Sequence, residues 1–286
     1  MRFQLHQLSC LIAILPFAAS AAPVLGTAAD FAVLAGAAVT CTDASVTGDV
    51  GVVAPTGLTR TGCTVNGTVH VADAVAVRGY ADFLSAYQTL GTPRCDQTLS
   101  GSLAGLTLAP GVYCFDAATT TTGGTLTLSG PADAAWLFKV GTLGTGALTG
   151  TSFSVVTAGG ARACNVTWRV AQAVTLTDSN FQGTVLAGAD TTVTRGTFNG
   201  DVFAGGEGTT QLPSGAITLT GATLAGCEGS TPGPVPTPSH AKCNQGVGNG
   251  AEGCDPGNSN QGNPARSNDE RGGTPGNPGR KGGNSR

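Results

Sequence analysis

Threonine pairs recur in this sequence at a spacing that could order a surface of hydroxyl and methyl groups. Thr175-Leu176-Thr177 returns 17 residues later as Thr192-Val193-Thr194, and after a longer step of 26 residues as Thr218-Leu219-Thr220. Residues two apart in a β-strand point to the same side, so each pair presents two side chains to one surface. A regular array of this kind holds no acid, base or strong nucleophile. It is typical of a surface that contacts something extended and repetitive.

Residues that could support acid–base or metal chemistry are scattered instead. His70 and His240 are far apart in the sequence. Four aspartates stand at expected turn positions, where aspartate is common: Asp133, Asp178, Asp190 and Asp201. Catalysis would need grouped carboxylates, or a base near an arginine or a metal. We therefore expect no enzyme, no metal site and no cofactor.

The repeat extends beyond the threonine pairs and predicts the fold. Phe181-Gln182-Gly183 returns as Phe198-Asn199-Gly200, again after 17 residues. This step is too short for a pair of helices and matches one coil of a β-solenoid. The longer final step predicts an insertion near residues 205–215 that should interrupt the threonine ladder. Strand alternation predicts a core lined by Leu176, Phe181, Val193, Phe198, Leu219 and Leu224.

One segment departs from the strand pattern. Residues 73–90 carry apolar side chains at spacings of three and four, which predicts a single amphipathic helix that ends before Gly91 and Pro93. Its apolar stripe should lie along one flank of the solenoid. The stripe is predicted to contain Val77, Tyr80, Ala81, Leu84 and Tyr87 or Gln88.

Composition and the first residues indicate an exported protein. Only 11% of the 286 residues are charged and the net charge is −3, which argues against a nucleic-acid partner. Residues 1–21 have the features of a signal peptide, with Arg2, an apolar run and a small-residue cleavage pattern ending at Ala21. No later segment is apolar over the roughly 20 residues of a membrane span. We expect a secreted, extracellular monomer.

The remaining sequence divides into a domain and a tail. Residues 22–229 form the predicted solenoid domain, residues 230–240 a Pro-rich linker, and residues 241–286 a low-complexity tail that we expect to be mostly disordered. Eight cysteines follow the predicted cleavage site, an even number that is typical of disulfides in an exported chain. Cys41 with Cys63 and Cys243 with Cys254 are the pairs we expect, although the spacing leaves other pairings open.

Six segments resemble the microbial ice-binding protein family of secreted β-solenoids. They are LGTAADFAVLAGAAVTCT (25–42), TGDVGV (47–52), GLTLAPGVYCF (105–115), AWLFKVGT (135–142), ACNVTWRV (163–170) and DSNFQGTVLAG (178–188). The resemblance implies an all-β fold, a right-handed parallel β-helix of triangular cross-section with one long helix alongside. It implies that N-terminal and C-terminal coils are neighbours. It also implies adsorption to ice through one flat face, with antifreeze activity and inhibition of ice recrystallisation.

The outward positions of the repeat define a candidate ice-binding face. Neighbouring coils lie about 4.8 Å apart and same-side residues in a strand about 7 Å apart, spacings that resemble repeats of the ice lattice. Asp178, Asp190 and Arg195 should lie near this face, where charge would disfavour ice-like water, while Thr120 is expected in a loop away from it. The predicted face residues are Thr149, Ser152, Thr175, Thr177, Asn180, Thr192, Thr194, Thr197, Thr218, Thr220 and Thr223.

A second function fits the same sequence. A secreted adhesin could use an outward threonine ladder to bind cell-surface or extracellular-matrix polymers without any activity on ice, because threonine is also common in strands for its shape alone. Ice shaping by a dilute sample would distinguish the two hypotheses.

Overall fold

The computed structural model describes residues 25–227. Within that range the chain forms a parallel β-helix with one α-helix, α1 (Ala74–Thr89), and two short 3-10 turns (Gly26–Asp30 and Ala163–Asn165). The predicted fold class is confirmed for this part of the chain. The predicted signal peptide, linker, tail and Cys243–Cys254 bridge lie outside the described residues.

All strand pairings are parallel, because each coil turns at its corners and places its strands on the next coil. In chain order they are β1 (Phe31–Ala35), β2 (Ala38–Thr42), β3 (Ser45–Thr47), β4 (Asp49–Val52), β5 (Leu58–Thr61), β6 (Thr64–Asn66), β7 (Val69–Val71), β8 (Gln97–Thr98), β9 (Thr107–Leu108), β10 (Gly111–Phe115), β11 (Thr119–Thr122), β12 (Thr125–Ser129), β13 (Trp136–Val140), β14 (Leu148–Thr151), β15 (Ser154–Ala158), β16 (Val166–Val170), β17 (Val174–Gln182), β18 (Thr184–Ala187), β19 (Thr191–Asn199), β20 (Val202–Ala204) and β21 (Ala216–Ala225).

The pairings divide these strands among three faces. The helix face runs β7-β4-β1-β20-β18-β16-β13-β10-β8. The threonine face runs β5-β2-β21-β19-β17-β14-β11, and uses the first halves of the three long strands. The third face runs β6-β3-β21-β19-β17-β15-β12-β9, and uses their second halves.

Coils from the two ends of the domain are neighbours in the stack. Strand β1 pairs with β20 through Val33 and Val202, and β2 pairs with β21 through Thr40 and Thr218. Strand β21 therefore lies between β2 and β19, inside the sheet rather than at its edge. The chain crosses to the other end of the stack through α1, whose 16 residues span about 24 Å, or about five coil spacings.

The interior is filled by the inward residues of all three faces. The six predicted core residues are each at most 2% exposed, which confirms the alternation pattern. A row of aromatic rings continues this packing from coil to coil, and Phe138 stacks on Trp168 with ring centroids 4.0 Å apart. Because the coils have the same spacing, side chains at equivalent positions contact each other. An aromatic ring in one coil can therefore stack on an aromatic ring in the next.

Helix α1 covers the outer side of the helix face. Its buried residues are Ala76, Gly79, Tyr80, Phe83, Ala86 and Tyr87. The predicted stripe was therefore only partly correct, because Val77 is 40% exposed while Gly79 and Phe83 are buried. Gly79 carries no hydrophobic signal, yet a side chain there would lie 2.5 Å from the ring of Phe31. Because the helix packs closely on Phe31 at Gly79, its buried face includes Gly79 and Phe83, and Val77 lies outside that face.

The predicted insertion is present but does not interrupt the threonine ladder. Residues 205–215 leave the stack at the corner between β20 and β21, and Thr192 and Thr218 remain register partners. The insertion packs toward the helix instead, where the Tyr80 hydroxyl donates to the Gly205 carbonyl at 2.8 Å and accepts from the Ser214 amide at 3.2 Å. The expectation of a break was wrong, because extra length at a corner leaves strand register unchanged.

Disulfides and one buried carboxyl fasten the coils. The predicted Cys41–Cys63 bridge is present, together with Cys95–Cys114 and Cys164–Cys227. Beside Cys227, the Asp201 side chain accepts from the Cys227 amide at 2.7 Å and from the Thr184 hydroxyl at 3.0 Å. Asp201 is 2% exposed, and burial raises its pKa to about 6.

We predict that Asp201→Asn changes the pH dependence of stability. The pKa of Asp201 is higher in the folded than in the unfolded chain, so the folded chain binds the extra proton between about pH 4 and pH 6. Its contribution to the free energy of unfolding is present at pH 4 and is lost as pH rises through about 6. This loss is about 3 kcal/mol at most, at about 1.4 kcal/mol per pH unit.

The asparagine of the Asp201→Asn variant has a neutral side chain at every pH, so the variant should match the wild type near pH 4 and exceed it above pH 6. Chemical denaturation of both proteins at several pH values measures the difference between them. Parallel curves for the two proteins would contradict the prediction.

Candidate functional site

The threonine face carries two uninterrupted columns of threonine. Each of its seven strands contributes a T-x-T triplet whose outer residues are register partners of those in the next coil. In stack order the first column is Thr59, Thr40, Thr218, Thr192, Thr175, Thr149 and Thr120. The second column is Thr61, Thr42, Thr220, Thr194, Thr177, Thr151 and Thr122.

These columns form a narrow, regular surface. Six intervals of about 4.8 Å make each column about 29 Å long, and the two columns are about 7 Å apart. All fourteen side chains are exposed or half-buried, whereas the residue between the two threonines is buried in six of the seven triplets. Arg60 is the exception, at the end of the stack. The β-branched threonine side chain has restricted χ1 freedom, so the order of the backbone extends to its methyl and hydroxyl groups.

A third column of small polar residues lies beyond the corner, on the third face. Its members pair in the same register as the threonine columns, and the Thr197 hydroxyl donates to the Asn180 side-chain oxygen at 2.7 Å. In stack order the third column is Thr64, Ser45, Thr223, Thr197, Asn180, Ser154 and Thr125.

A column of left-handed residues separates the second and third columns. All seven have φ between 48° and 65°, a conformation that glycine adopts without strain. This corner column is Gly62, Asp43, Gly221, Arg195, Asp178, Ser152 and Gly123. The left-handed residue turns the chain from one face to the next in every coil.

Ten of the eleven predicted face residues fall in the three columns, and Ser152 does not. Ser152 belongs to the corner column, with φ of 51°. Thr149 pairs with Thr175 and Thr151 with Thr177, so Ser154, and not Ser152, is the register partner of Asn180. The expectation for Thr120 was also wrong, because it lies in β11 at the end of the first column.

Seven threonines of the first and second columns were not predicted from the sequence. They are Thr40, Thr42, Thr59, Thr61, Thr120, Thr122 and Thr151. A pattern that describes all seven coils is T-x-T-x-x followed by threonine, serine or asparagine. The search for a 17-residue step did not find this pattern, because only β17 and β19 are 17 residues apart. The other neighbouring strands of the face are separated by longer segments or by the helix.

Charge near the face is concentrated in the corner column. Arg195 donates to both carboxylate oxygens of Asp178, with Nη2 to Oδ2 at 2.7 Å. These hydrogen bonds hold the pKa of Asp178 below its usual range. Asp190 lies on the other side of the face, where its side chain accepts from the Ala216 amide at 2.8 Å. The two threonine columns themselves carry no ionisable group.

On the helix side, Lys139 and Arg169 bind backbone carbonyls at the end of α1. Lys139 Nζ donates to the carbonyls of Gly91 and Pro93 at 2.7 and 2.8 Å, just after α1 ends. Arg169 Nε donates to the Tyr87 carbonyl at 2.9 Å, and its guanidinium lies over the Tyr87 ring. Positive charge at a helix C-terminus complements the helix dipole. In residues 25–227 no helix is long and apolar enough to cross a membrane.

A family model described as ice-binding-like matches residues 33–224 of the chain, a range that includes all three columns. The chain belongs to the ice-binding-like family. The family predicted from the six sequence segments is therefore confirmed, together with the side-by-side placement of N-terminal and C-terminal coils.

Individual relatives agree with this assignment. The chain is 36% identical over 184 residues to an ice-binding protein from Nostoc sp. (strain HG1), a match that covers 62% of this chain and 66% of that protein. A crystal structure of an ice-binding protein from Antarctomyces psychrotrophicus has 29% identity and a TM-score of 0.63, and the match covers 71% of this chain and 98% of that one. A domain of an ice-binding protein from Shewanella frigidimarina has 27% identity and a TM-score of 0.65, with coverage of 73% and 99%.

We predict that Gly221, in the corner column, and Gly196, which follows corner residue Arg195, differ in how much stability is lost when each is replaced by alanine. A methyl group on Gly196 (φ +92°) would lie 2.1 Å from the Ser179 carbonyl oxygen, whereas one on Gly221 (φ +60°) would meet only the Arg195 side chain at 3.4 Å. Gly221→Ala should cost about 1 kcal/mol of unfolding free energy for the left-handed conformation alone. Gly196→Ala should cost at least about twice as much, because backbone must move. Urea denaturation compares them, and equal losses would contradict the prediction.

Proposed function

We propose that this protein adsorbs to ice through the first and second columns of the threonine face. The observation that carries the proposal is their continuity, with fourteen threonines at one spacing and no ionisable side chain among them. The names of the relatives support it, since the matched proteins are called ice-binding proteins.

The chemistry of the surface fits this ligand. Ice presents neither a charge nor a pocket, so recognition must come from area and order. Each threonine methyl favours cage-like water beside it, and the neighbouring hydroxyl can hydrogen-bond to that water. Because χ1 is restricted, the hydroxyls keep the spacing of the strands. A water layer held in this way already has a regular order when it meets the crystal.

Adsorption would limit growth of the crystal. Ice between two bound molecules must advance as a curved front, which is less stable than a flat one, so growth and recrystallisation slow down. We expect no catalysis in this process. The adhesin alternative has no support among the matched proteins, which are named for binding ice.

We further propose that the protein acts outside the cell that makes it. The signal-like segment at residues 1–21 supports export. The three disulfides within residues 25–227 also support it, because such bonds persist in oxidising compartments. Ice is then the partner, and we expect a monomer to suffice, since one molecule presents a complete threonine face.

The face hypothesis predicts that Thr194→Tyr abolishes ice shaping and thermal hysteresis. Thr194 is the middle residue of the second column, with Thr177 and Thr220 as its register partners. A tyrosine ring there would stand above both columns and keep neighbouring threonines from the crystal, while no core contact is lost. Ice shaping on a cold-stage microscope and the hysteresis gap at matched protein concentration measure the effect.

Thr47→Tyr is the matched control. Thr47 is an exposed strand threonine on the third face, outside all three columns, so this variant should shape ice like the wild type. Thr120→Tyr, at the end of the first column, should lower the activity only in part. Equal activity of the Thr194 and Thr47 variants would show that the threonine face does not contact ice.

A further inference from the structure

The two ends of the coil stack differ among the described residues. At one end, the chain around Leu103 lies against β11, where the Leu103 amide donates to the Thr121 hydroxyl at 3.1 Å and the Thr119 hydroxyl donates to the Gly101 carbonyl at 2.8 Å. Leu103, Thr119 and Thr121 are each at most 1% exposed. At the other end, β5, β6 and β7 are the last strands of the three faces, and no described strand pairs with their outer edges. We call this second end, residues 58–71, the open end.

The open end presents apolar side chains as well as unpaired strand edges. Its inward residues are only partly buried, whereas their register partners in the next coil are at most 2% exposed. These inward residues are Leu58, Val65, Val69 and Val71. An exposed strand edge is a template to which a further strand can be added. A second copy of the chain fits this surface, because two open ends can face each other across a two-fold axis, each with the same edges and apolar residues.

Arg60 occupies an inward position at the open end, where the other coils have no charge. Its register partner, Cys41, is 2% exposed, and the equivalent residues of the remaining coils are also buried. In stack order these six residues are Cys41, Leu219, Val193, Leu176, Gly150 and Thr121. Arg60 is exposed instead, because no described coil lies beyond it.

The Arg60 guanidinium also binds an acceptor of the strand edge. Its Nη2 donates to the Cys63 carbonyl at 3.1 Å. The Thr64 amide of the same peptide donates toward the stack, to the Ala44 carbonyl at 2.9 Å. In a trans peptide the N–H and the C=O point in opposite directions, so the Cys63 carbonyl faces the open side. Arg60 therefore occupies a carbonyl that a further strand would need.

His70 is the other titratable side chain within residues 58–71, and it lies on the helix side. Its ring meets Phe31 with centroids 5.6 Å apart, and its Nδ1 is 2.7 Å from Asp73 Oδ2. Asp43 belongs to the next coil and is exposed in the corner column. Arg60 is thus the charged residue of the open end that stands at an inward position.

We infer that the open end is a self-association surface, and that Arg60 keeps a second copy of the chain from pairing with it. An inward charge on an edge strand is one device by which β-proteins prevent edge-to-edge association. Two facing open ends would bring two guanidinium groups together and remove their water, which is unfavourable for like charges beside apolar residues. The three edges have only four, three and three residues, so their pairing offers little to offset this cost.

The test is Arg60→Leu, which gives the open end the residue type of Leu176 and Leu219. In sedimentation equilibrium of the full secreted chain, the weight-average mass of this variant should rise toward twice the monomer mass with increasing concentration, while the wild type keeps the monomer mass. Hydrogen exchange should show new amide protection in the variant, confined to residues 58–71. Arg60→Ala removes the charge and adds less apolar surface, so it should associate more weakly, and it serves as the test if Arg60→Leu does not fold.

Arg60→Glu and Arg162→Leu are the matched controls. Arg60→Glu keeps a charge at the open end, and Arg162→Leu replaces an exposed arginine between β15 and β16, so both should remain monomers. The inference is overturned if the wild type associates as readily as Arg60→Leu, if folded Arg60→Leu and Arg60→Ala stay monomeric, if Arg162→Leu associates equally, or if new protection lies outside residues 58–71. None of these measurements involves ice, so failure of the proposed function would leave their results unchanged.

Discussion

The order of the core and of the outer surface depends on the parallel hydrogen bonds between neighbouring coils. They set one spacing between coils, and in the strands of the threonine face they hold one register, so that residues at the same position of successive coils lie above one another. On the inner side this register stacks rings such as Phe138 and Trp168. On the outer side it aligns threonines such as Thr177 and Thr194. The order of the core and the order of the surface have one cause.

Helix α1 gives the three faces of the described domain different roles. Strands β1, β13, β18 and β20 of the helix face are buried on both sides, and α1 covers outward residues such as Leu34 and Phe203. These strands therefore present no exposed ladder. The threonine face has no such cover among the described residues, and its outward positions can be small, polar and uniform. The Tyr80 side chain of α1 also hydrogen-bonds to the 205–215 insertion and keeps it on the helix side, away from the threonine face.

Much of this arrangement could be predicted from the sequence. Alternation around Leu176 and the 17-residue step identified the coil, the core and the columns near β17 and β19, because these coils carry no insertion. The helix was placed correctly, but its buried stripe depends on Gly79, whose missing side chain matters only once Phe31 is beside it. Ser152 was misplaced because a left-handed corner cannot be distinguished from a strand residue by polarity. Thr40 joins the face by pairing with Thr218 of β21, a contact between distant segments, and Thr59 joins it by pairing with Thr40.

The position of β21 inside the stack has a consequence for how the chain reaches its native state. Strands β1 to β7 are synthesised first, yet they join the remaining coils only through β20 and β21, which are synthesised last. Ordinary solenoids can grow one repeat at a time from either end. Here the coils of residues 31–71 have no neighbour on that side until nearly the whole domain has emerged, so completion of the fold is a late, long-range event and should be slow. Late joining is compatible with the proposed export, because a chain that crosses a membrane unfolded completes its fold only afterwards.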